Sequence, residues 1–366
     1  MSARGYDARR AAAAARALVG GLVLVLVIAL APLLGASPPA AAAGVADEAG
    51  APRVTAVDSV GIPVTDMERA LDFYTHVLDF RVVADREVAG DGYEHLLGVF
   101  GLRLRVARLA LGEEHIELMQ FLAPGGRPLP ADLHSNDRAF QHVAIIVRDM
   151  DEAYARLRAH HVAHASSGPQ LLPAWNPNAG GIAAFYFRDP DGNHLEVLHF
   201  PPGKGAARWQ SKTALFLGID HTAIVVGDTD ASLAYYRDLL GMHVAGESEN
   251  WGPEQEQLNG VFGARLRITA LRAAQGPGIE LLEYLAPRSG RAIPEDSAAS
   301  DRWYWQVNLL APALDAIYAR AHAAHARFVS NGVQRLGDQA LGFDGGFVLR
   351  DPDGHADLLR AASAAR

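Results

Sequence analysis

Gly98-Val-Phe-Gly-Leu-Arg-Leu-Arg105 returns as Gly260-Val-Phe-Gly-Ala-Arg-Leu-Arg267, and the rest of the chain is best read outward from this recurrence. Ile116-Glu-Leu-Met-Gln-Phe-Leu-Ala-Pro124 returns as Ile279-Glu-Leu-Leu-Glu-Tyr-Leu-Ala-Pro287, and Arg188-Asp-Pro-Asp-Gly192 as Arg350-Asp-Pro-Asp-Gly354. The offsets are 162, 163 and 162 residues, so one block has been duplicated almost without insertion. The copies run over 53–200 and 215–362, and the Pro/Gly/Lys-bearing segment 201–214 reads as a linker.

Each copy itself divides into two similar halves. A half opens with an apolar strand, continues with an Asp at the start of an amphipathic helix, and ends in further strands. Asp66 is placed to cap a helix whose apolar residues Met67, Ala70, Leu71, Tyr74, Val77 and Leu78 form a single stripe. Asp149 with Met150, Ala153, Tyr154 and Leu157 repeats the plan, as does Asp228 with Leu233, Tyr236 and Leu240 before Gly241. The fourth half begins near Pro312, with Leu314, Ile317 and Tyr318. Asp191-Gly192 and Asp353-Gly354 sit between apolar runs and read as hairpin turns. The expected architecture is α+β: four β-α-β-β-β modules, paired in chain order into two domains.

Composition sets the outer limits. A chain of 366 residues with 49% apolar and 20% charged residues has room for two cores. A net charge of −9 leaves no basic excess with which to neutralise nucleic-acid phosphates. The absence of cysteine excludes disulfides and thiolate ligands. At the start, Arg9, Arg10 and Arg16 precede an uncharged run from Ala17 to Leu34 and then an Ala/Pro-rich stretch from Gly35 to Gly50. This is the order of a secretory signal, with cleavage expected near Ala43 or Ala46. The protein is therefore expected to be exported, periplasmic or extracellular, with residues 1–50 outside the fold. Contact with a membrane is expected only through this apolar run, which is long enough to span one if it is retained. The Arg9-Arg10 pair also fits twin-arginine export.

The opening strands carry different chemistry on their two faces. In His142-Val-Ala-Ile-Ile-Val147, Val143, Ile145 and Val147 share the face expected to meet the helix, and His142, Ala144 and Ile146 share the other. His221, Ala223 and Val225 hold the second position in the third module, Ser59, Gly61 and Pro63 in the first, and Gln306 and Asn308 in the fourth. A polar residue followed by small ones suits a concave cavity. The closing strands add Glu117, Glu280 and Glu196. Imidazole and carboxylate donors together suit Zn, Fe, Ni or Mn. Trp175, Tyr186 and His95 are candidates to line such a cavity. The Glu113-Glu114 pair reads as a solvated hairpin.

Modules that open with Ile219-Asp-His-Thr-Ala-Ile224 and close with Asp189-Pro-Asp-Gly-Asn-His-Leu-Glu196 resemble the vicinal-oxygen-chelate superfamily over about 54–361. This is the glyoxalase, bleomycin-resistance and extradiol-dioxygenase type. The resemblance implies cupped mixed sheets and one divalent metal held in a trough between two modules, with ligands from their first and last strands. Position by position, the first domain offers Ser59, Glu117, His142 and Glu196; the second offers His221, Glu280, Gln306 and Leu358. Ser59 stands where a His, Gln or Glu is usual, and Leu358 where a Glu is usual. Asp357 falls on the opposite face.

A metal site of Glu117, His142 and Glu196 is therefore expected in the first domain, with Glu117 or Glu196 as the catalytic base. His221, Glu280 and Gln306 are the second-domain candidates. At the places that correspond to the two-His, one-carboxylate triad of ring-cleaving dioxygenases the chain has Ser59, His142 and Glu196, and His221, Gln306 and Leu358, and neither set supplies two histidines. The carboxylate-rich set resembles the glyoxalase and epimerase branch, where a metal polarises an oxygen and a carboxylate moves a proton at the adjacent carbon. A metal-dependent lyase or isomerase acting on a small oxygenated metabolite is the expected function. An extradiol-type ring-cleavage enzyme, or a non-catalytic small-molecule or metal-binding protein of the same fold, are the alternatives.

Overall fold

A computed structural model describes residues 52–211, 213–337 and 339–362. The signal-like leader lies outside the described residues. Among the described residues, no helix is long and apolar enough to cross a membrane.

Module one holds β1 (Ala56–Pro63), α1 (Met67–His76), β2 (Arg81–Ala89), α2 (Asp91–Leu97), β3 (Arg103–Leu111) and β4 (Glu114–Ala123). Module two holds β5 (Gln141–Val147), α3 (Met150–Ala159), β6 (Ala163–His164), β7 (Gln170–Leu171), β8 (Ala183–Arg188) and β9 (His194–His199). Module three has β10 (Phe216–Val226), α4 (Thr229–Leu233, continuing as a π-helical stretch over Ala234–Leu239), β11 (His243–Trp251), α5 (Pro253–Asn259), β12 (Arg265–Arg272) and β13 (Gly278–Ala286). Module four has β14 (Gln306–Leu310), α6 (Leu314–Ala323), β15 (Arg327–Phe328), β16 (Gln334–Arg335), β17 (Phe343–Arg350) and β18 (Ala356–Ala362).

The local signals behave as chemistry dictates. Asp66, Asp149 and Asp228 each cap a helix, accepting from Arg69 N, from Glu152 N, and from Asp230 N and Ala231 N respectively. In the Asp-Pro-Asp-Gly turns the first Asp organises the bend: Asp189 Oδ1 accepts from Asp191 N and Asn193 N, and Asp351 Oδ1 from Asp353, Gly354 and His355 N. Gly192 and Gly354 then take the left-handed φ that closes each hairpin. One local reading is corrected. Glu113 is exposed, but Glu114 is buried, accepting from Ile219 N at 3.1 Å and pairing with Arg208 from the linker.

The larger correction concerns which modules share a sheet. One nine-stranded sheet runs β15-β17-β18-β14-β1-β4-β3-β2, with β16 on β17, and so joins modules one and four. The other runs β11-β12-β13-β10-β5-β9-β8-β6, with β7 on β8, and joins modules two and three. The seams are antiparallel, β1 on β14 with Ser59 opposite Asn308, and β10 on β5 with Ala223 opposite His142. Modules adjacent in sequence meet instead through their helix-side faces. Val60, Ile62 and Tyr74 of module one pack in one cluster with Val143, Ile145 and Phe185 of module two. Ile224 and Tyr236 of module three share another with Val307, Leu309 and Phe347 of module four. The two-residue alternation sets the face each side chain takes, but β5 can present the same face to either neighbour, so the partner is a tertiary choice.

The connections that cross between sheets hold one another. Arg127 reaches Asp301 and Asp296 in the connection of the second copy, and Arg291 reaches Asp137 and Asp132 in that of the first. Backbone bonds Arg138 N to Arg291 O (2.8 Å) and Arg302 N to Arg127 O (2.9 Å) complete a symmetric clamp.

Candidate metal centre

His142 opens β5 and His221 lies in β10, side by side across the antiparallel seam. β9 runs parallel to β5 with Glu196 beside Ala144, and β13 runs parallel to β10 with Glu280 beside Ala223. Four polar side chains therefore converge on one trough. His142 Nε2 lies 3.3 Å from Glu196 Oε2; His221 Nε2 lies 3.7 Å from the same oxygen and 3.4 Å from Glu280 Oε2. Ligand atoms of His142, Glu196 and His221 all fall within 4.8 Å of one another, and all three residues are buried.

The donor set fits a divalent ion on grounds beyond distance. Both ring nitrogens of the buried His142, and Nε2 of His221, have no hydrogen-bond partner, a costly state for buried polar atoms unless something else binds them. His221 Nδ1 lies 3.1 Å from Asp220 Oδ2. Asp220 in turn accepts from Trp209 Nε1 (3.0 Å) and from Arg272 (2.9 Å). A carboxylate behind an imidazole fixes the ring and leaves its far nitrogen to a metal. The trough also calls for positive charge. Burial alone would lower the His221 pKa, yet Glu280, Asp220 and Glu196 outweigh it and raise it to about 9. His194, next to the site, is pushed down to about 3 by burial and by Arg188. His142, Glu196 and His221 would thus hold the ion, as two imidazoles and one carboxylate, with the partly exposed Glu280 beside them.

Glu117 does not join them, which corrects the expected grouping of Glu117 with His142 and Glu196. It lies in β4, on the other sheet, with Ser59 and Gln306. There Ser59 Oγ donates to Glu117 Oε1 (3.0 Å) and Asn308 Nδ2 to Oε2 (3.1 Å), while Gln306 Nε2 donates to Asn308 Oδ1 (2.8 Å). Two cations neutralise the carboxylate: Arg360 at 2.8 Å and Arg108 at 2.7 Å. Burial would raise the Glu117 pKa, but these guanidiniums hold it below its ordinary value. Leu358 stands in this trough's apolar cluster with Phe343 and Met119. Asp357, on the opposite face, accepts from Tyr235 Oη at 3.0 Å. So Gln306 and Leu358 belong with Ser59 and Glu117, and His221 and Glu280 with His142 and Glu196.

The metal trough opens through an inner chamber of about 80 Å³, lined in part by Tyr186, Glu196, His221 and Glu280. Glu280, Ser248, Ile268, Ala179 and Ile182 are shared with an outer chamber of about 450 Å³. Of the aromatic candidates, Tyr186 lines the site, Trp175 is half-exposed and stacked on Trp251, and His95 faces solvent on α2.

Two stretches of the chain, 56–197 and 218–356, match the family model of the Glyoxalase/Bleomycin resistance protein/Dioxygenase superfamily. The chain belongs to this superfamily. A 2-epi-5-epi-valiolone epimerase from Actinomyces sp is 32% identical to it over 159 residues, which is 42% of this chain and 84% of that protein. Glyoxalase I from Zea mays superposes with a TM-score of 0.56 at 15% identity, covering 84% of this chain and 92% of its own. A putative dioxygenase from Bacillus subtilis gives 0.53 at 15% identity, covering 86% and 87%. At these identities the two structures establish the fold alone. Family and fold together make this chain a member of that superfamily with a candidate metal centre. Sequence reasoning named His142 and Glu196 in one candidate site and His221 and Glu280 in another, and none of Arg360, Arg108, Asp220 or Trp209. Asp58 and Asp220 precede Ser59 and His221 at matching positions, the one signal in the repeat that pointed to a supporting carboxylate.

Proposed function

We propose that the chain is an exported, metal-dependent enzyme that moves a proton on the carbon next to a carbonyl of a small oxygenated metabolite, in the manner of an epimerase or isomerase. The observation that carries this reading is the convergence of His142, His221 and Glu196 on one buried point with unsatisfied imidazole nitrogens, with Glu280 beside His221. A bound divalent ion would supply Lewis-acid polarisation of the substrate oxygen. His142, His221 and Glu196, all nearly inaccessible, are the holding residues. Glu280 is the most solvent-accessible of the four, with 24% of its side chain exposed, and it lines both chambers. It is therefore the carboxylate placed to take a proton from carbon and return it. The likeness to the valiolone epimerase supports this choice within the superfamily.

The test is exchange of the substrate's carbon-bound hydrogen with solvent deuterium, followed by NMR on the metal-loaded protein over a panel of hydroxyketones. Exchange is expected, and Glu280→Gln should abolish it with metal content unchanged. Metal-loaded protein that exchanges nothing would overturn the reading. Export is tested by the mature N-terminus, expected between Ser37 and Gly50.

One observation favours a second reading. Because modules two and three share the trough, His142, His221 and Glu196 form the two-His, one-carboxylate set absent from either copy alone. Oxygen consumption with catechols by iron-loaded protein, without hydrogen exchange, would select ring cleavage. Glu280 weighs against it as a second carboxylate that such a triad does not require.

A further inference from the structure

Beside the metal trough, four buried carboxamides form a directed chain. Asn176 Nδ2 donates to Asn250 Oδ1 at 2.7 Å, Asn250 Nδ2 donates to Gln255 Oε1 at 3.0 Å, and Gln255 Nε2 donates to Asn259 Oδ1. The head is fixed by backbone, since Asn176 Oδ1 accepts from Asn178 N (3.1 Å) and Ala179 N (2.9 Å). At the tail, the buried Asn259 Nδ2 lies beside the Tyr284 hydroxyl. All four residues are at most 5% exposed. Asn250 and Gln255 line the inner chamber together with Glu196, His221 and Glu280.

The duplicated trough supplies the control. Val88, Tyr93 and Leu97 hold the positions matching Asn250, Gln255 and Asn259, and all three lie in one apolar cluster. The fold therefore does not need amides at these positions. Burying three of them costs free energy unless their hydrogen bonds are met. The amides occur in the trough that has the imidazoles and not in its twin.

We propose that Asn250 and Gln255 are specificity residues that read hydroxyl groups of an uncharged polyhydroxylated carbonyl substrate; the carbonyl rests on the metal-site reading above. A carboxamide has two N–H donors and two acceptor lone pairs. The chain uses one of each on Asn250 and on Gln255, so each keeps one N–H and one lone pair. One donor beside one acceptor complements a hydroxyl, which is itself both. An anion would use only the donors and would face Glu196 and Glu280. Among the described residues, no Lys or Arg lines the inner chamber, and Lys204 of the outer chamber already donates to the carbonyls of Pro177 and Asn178. The fixed direction of the chain presets where each donor points, which favours a substrate with several hydroxyls in a fixed relative arrangement.

The test uses zinc-loaded full-length protein and ligand-observed NMR titrations with scyllo-inosose, cyclohexanone and 4-oxocyclohexanecarboxylate. Inosose should bind at least about tenfold more tightly than either of the others. Asn250→Val and Gln255→Leu, which copy or approximate the twin trough, should each erase most of that preference without changing zinc content. The isosteric Asn250→Asp and Gln255→Glu, which remove a donor without changing size, should also weaken inosose, and they serve if the apolar variants fail to fold. Equal binding of cyclohexanone, tighter binding of the carboxylate, no binding of any probe, or an unchanged preference in the variants would each overturn the assignment. Zinc content is read separately. Protein that selects inosose yet holds no zinc would sink the metal reading and leave this one standing.

Discussion

In one trough Glu280 faces His221, with Glu196 and His142 beyond it; in the other its counterpart Glu117 faces Arg360 and Arg108. The strands, the offsets and the position of the carboxylate are shared. What differs is how its charge is met. Leu198 stands in the first trough where Arg360 stands in the second, and Ala270 where Arg108 stands. The second trough carries its own cations, covalently and permanently, and fills the remaining space with Phe343, Tyr93 and Leu358. The first leaves imidazole nitrogens exposed to one another and a chamber beside them. The comparison teaches that a conserved-looking Glu in a repeat is not a ligand until its neighbours are known.

Breaking the metal trough should give the largest effect. His142→Ala or His221→Ala should each weaken divalent-metal binding more than a thousandfold, about 4 kcal/mol, read by competition with a chelating dye. Glu117→Gln should leave metal binding unchanged. If Glu117→Gln removed the metal and His221→Ala did not, the assignment of the two troughs would be reversed.

Breaking the arginine trough should show in stability instead. Arg360→Leu, which restores the residue of the other trough, strands buried Glu117 and should cost about 3 kcal/mol in chemical denaturation. Adding Glu117→Leu should recover much of that loss, because the stranded charge is then gone. No recovery would mean that Arg360 acts through packing against Phe343, over whose ring it sits at 5.1 Å.

The clamp between the crossing connections should matter less. Asp137→Ala removes acceptors for His134 N, Arg291 N and the Arg291 guanidinium, and should cost about 1–2 kcal/mol. Asp301→Ala, its mate in the repeat, should cost a similar amount. A strongly unequal pair in thermal melts would show that one crossing alone secures the pairing of the sheets.

The smallest effect is on acid sensitivity. Burial would raise the Asp58 carboxyl, but Arg360 and Arg108 hold it down to about 2. A folded-state pKa below the unfolded value contributes stability above about pH 4, and this is lost as pH falls toward 2. The melting temperature should therefore drop more steeply from pH 4 to 2 in the parent protein than in Arg360→Leu. Parallel curves would show that the arginine trough contributes nothing to acid behaviour.

The fold was legible because its signals are local. Asp66, Asp149 and Asp228 are caps wherever their helices pack, and Val143, Ile145 and Val147 take the helix side whichever strand lies next to β5. The site was legible as a set of positions and not as a set of neighbours. Glu196 is four residues from Gly192 in any arrangement, but whether His142 meets Glu117 or His221 depends on which module closes the seam, and no periodicity encodes that. Glu114 was misread for the same reason, since the linker Arg208 and the β10 amide that bury it are distant in sequence.

The cross-copy sheets carry a consequence for ancestry. A protein with one copy could complete such a trough only by docking with its twin, and rotational symmetry would then make both troughs identical. Any substitution would strike both at once. Fusing the copies frees each trough to vary on its own, so that Leu358 and Arg360 could replace a liganding arrangement on one side while His142 and His221 stayed on the other. The single chain is thus a heterodimer in all but connectivity, each copy giving one module to the candidate metal trough and one to the arginine trough.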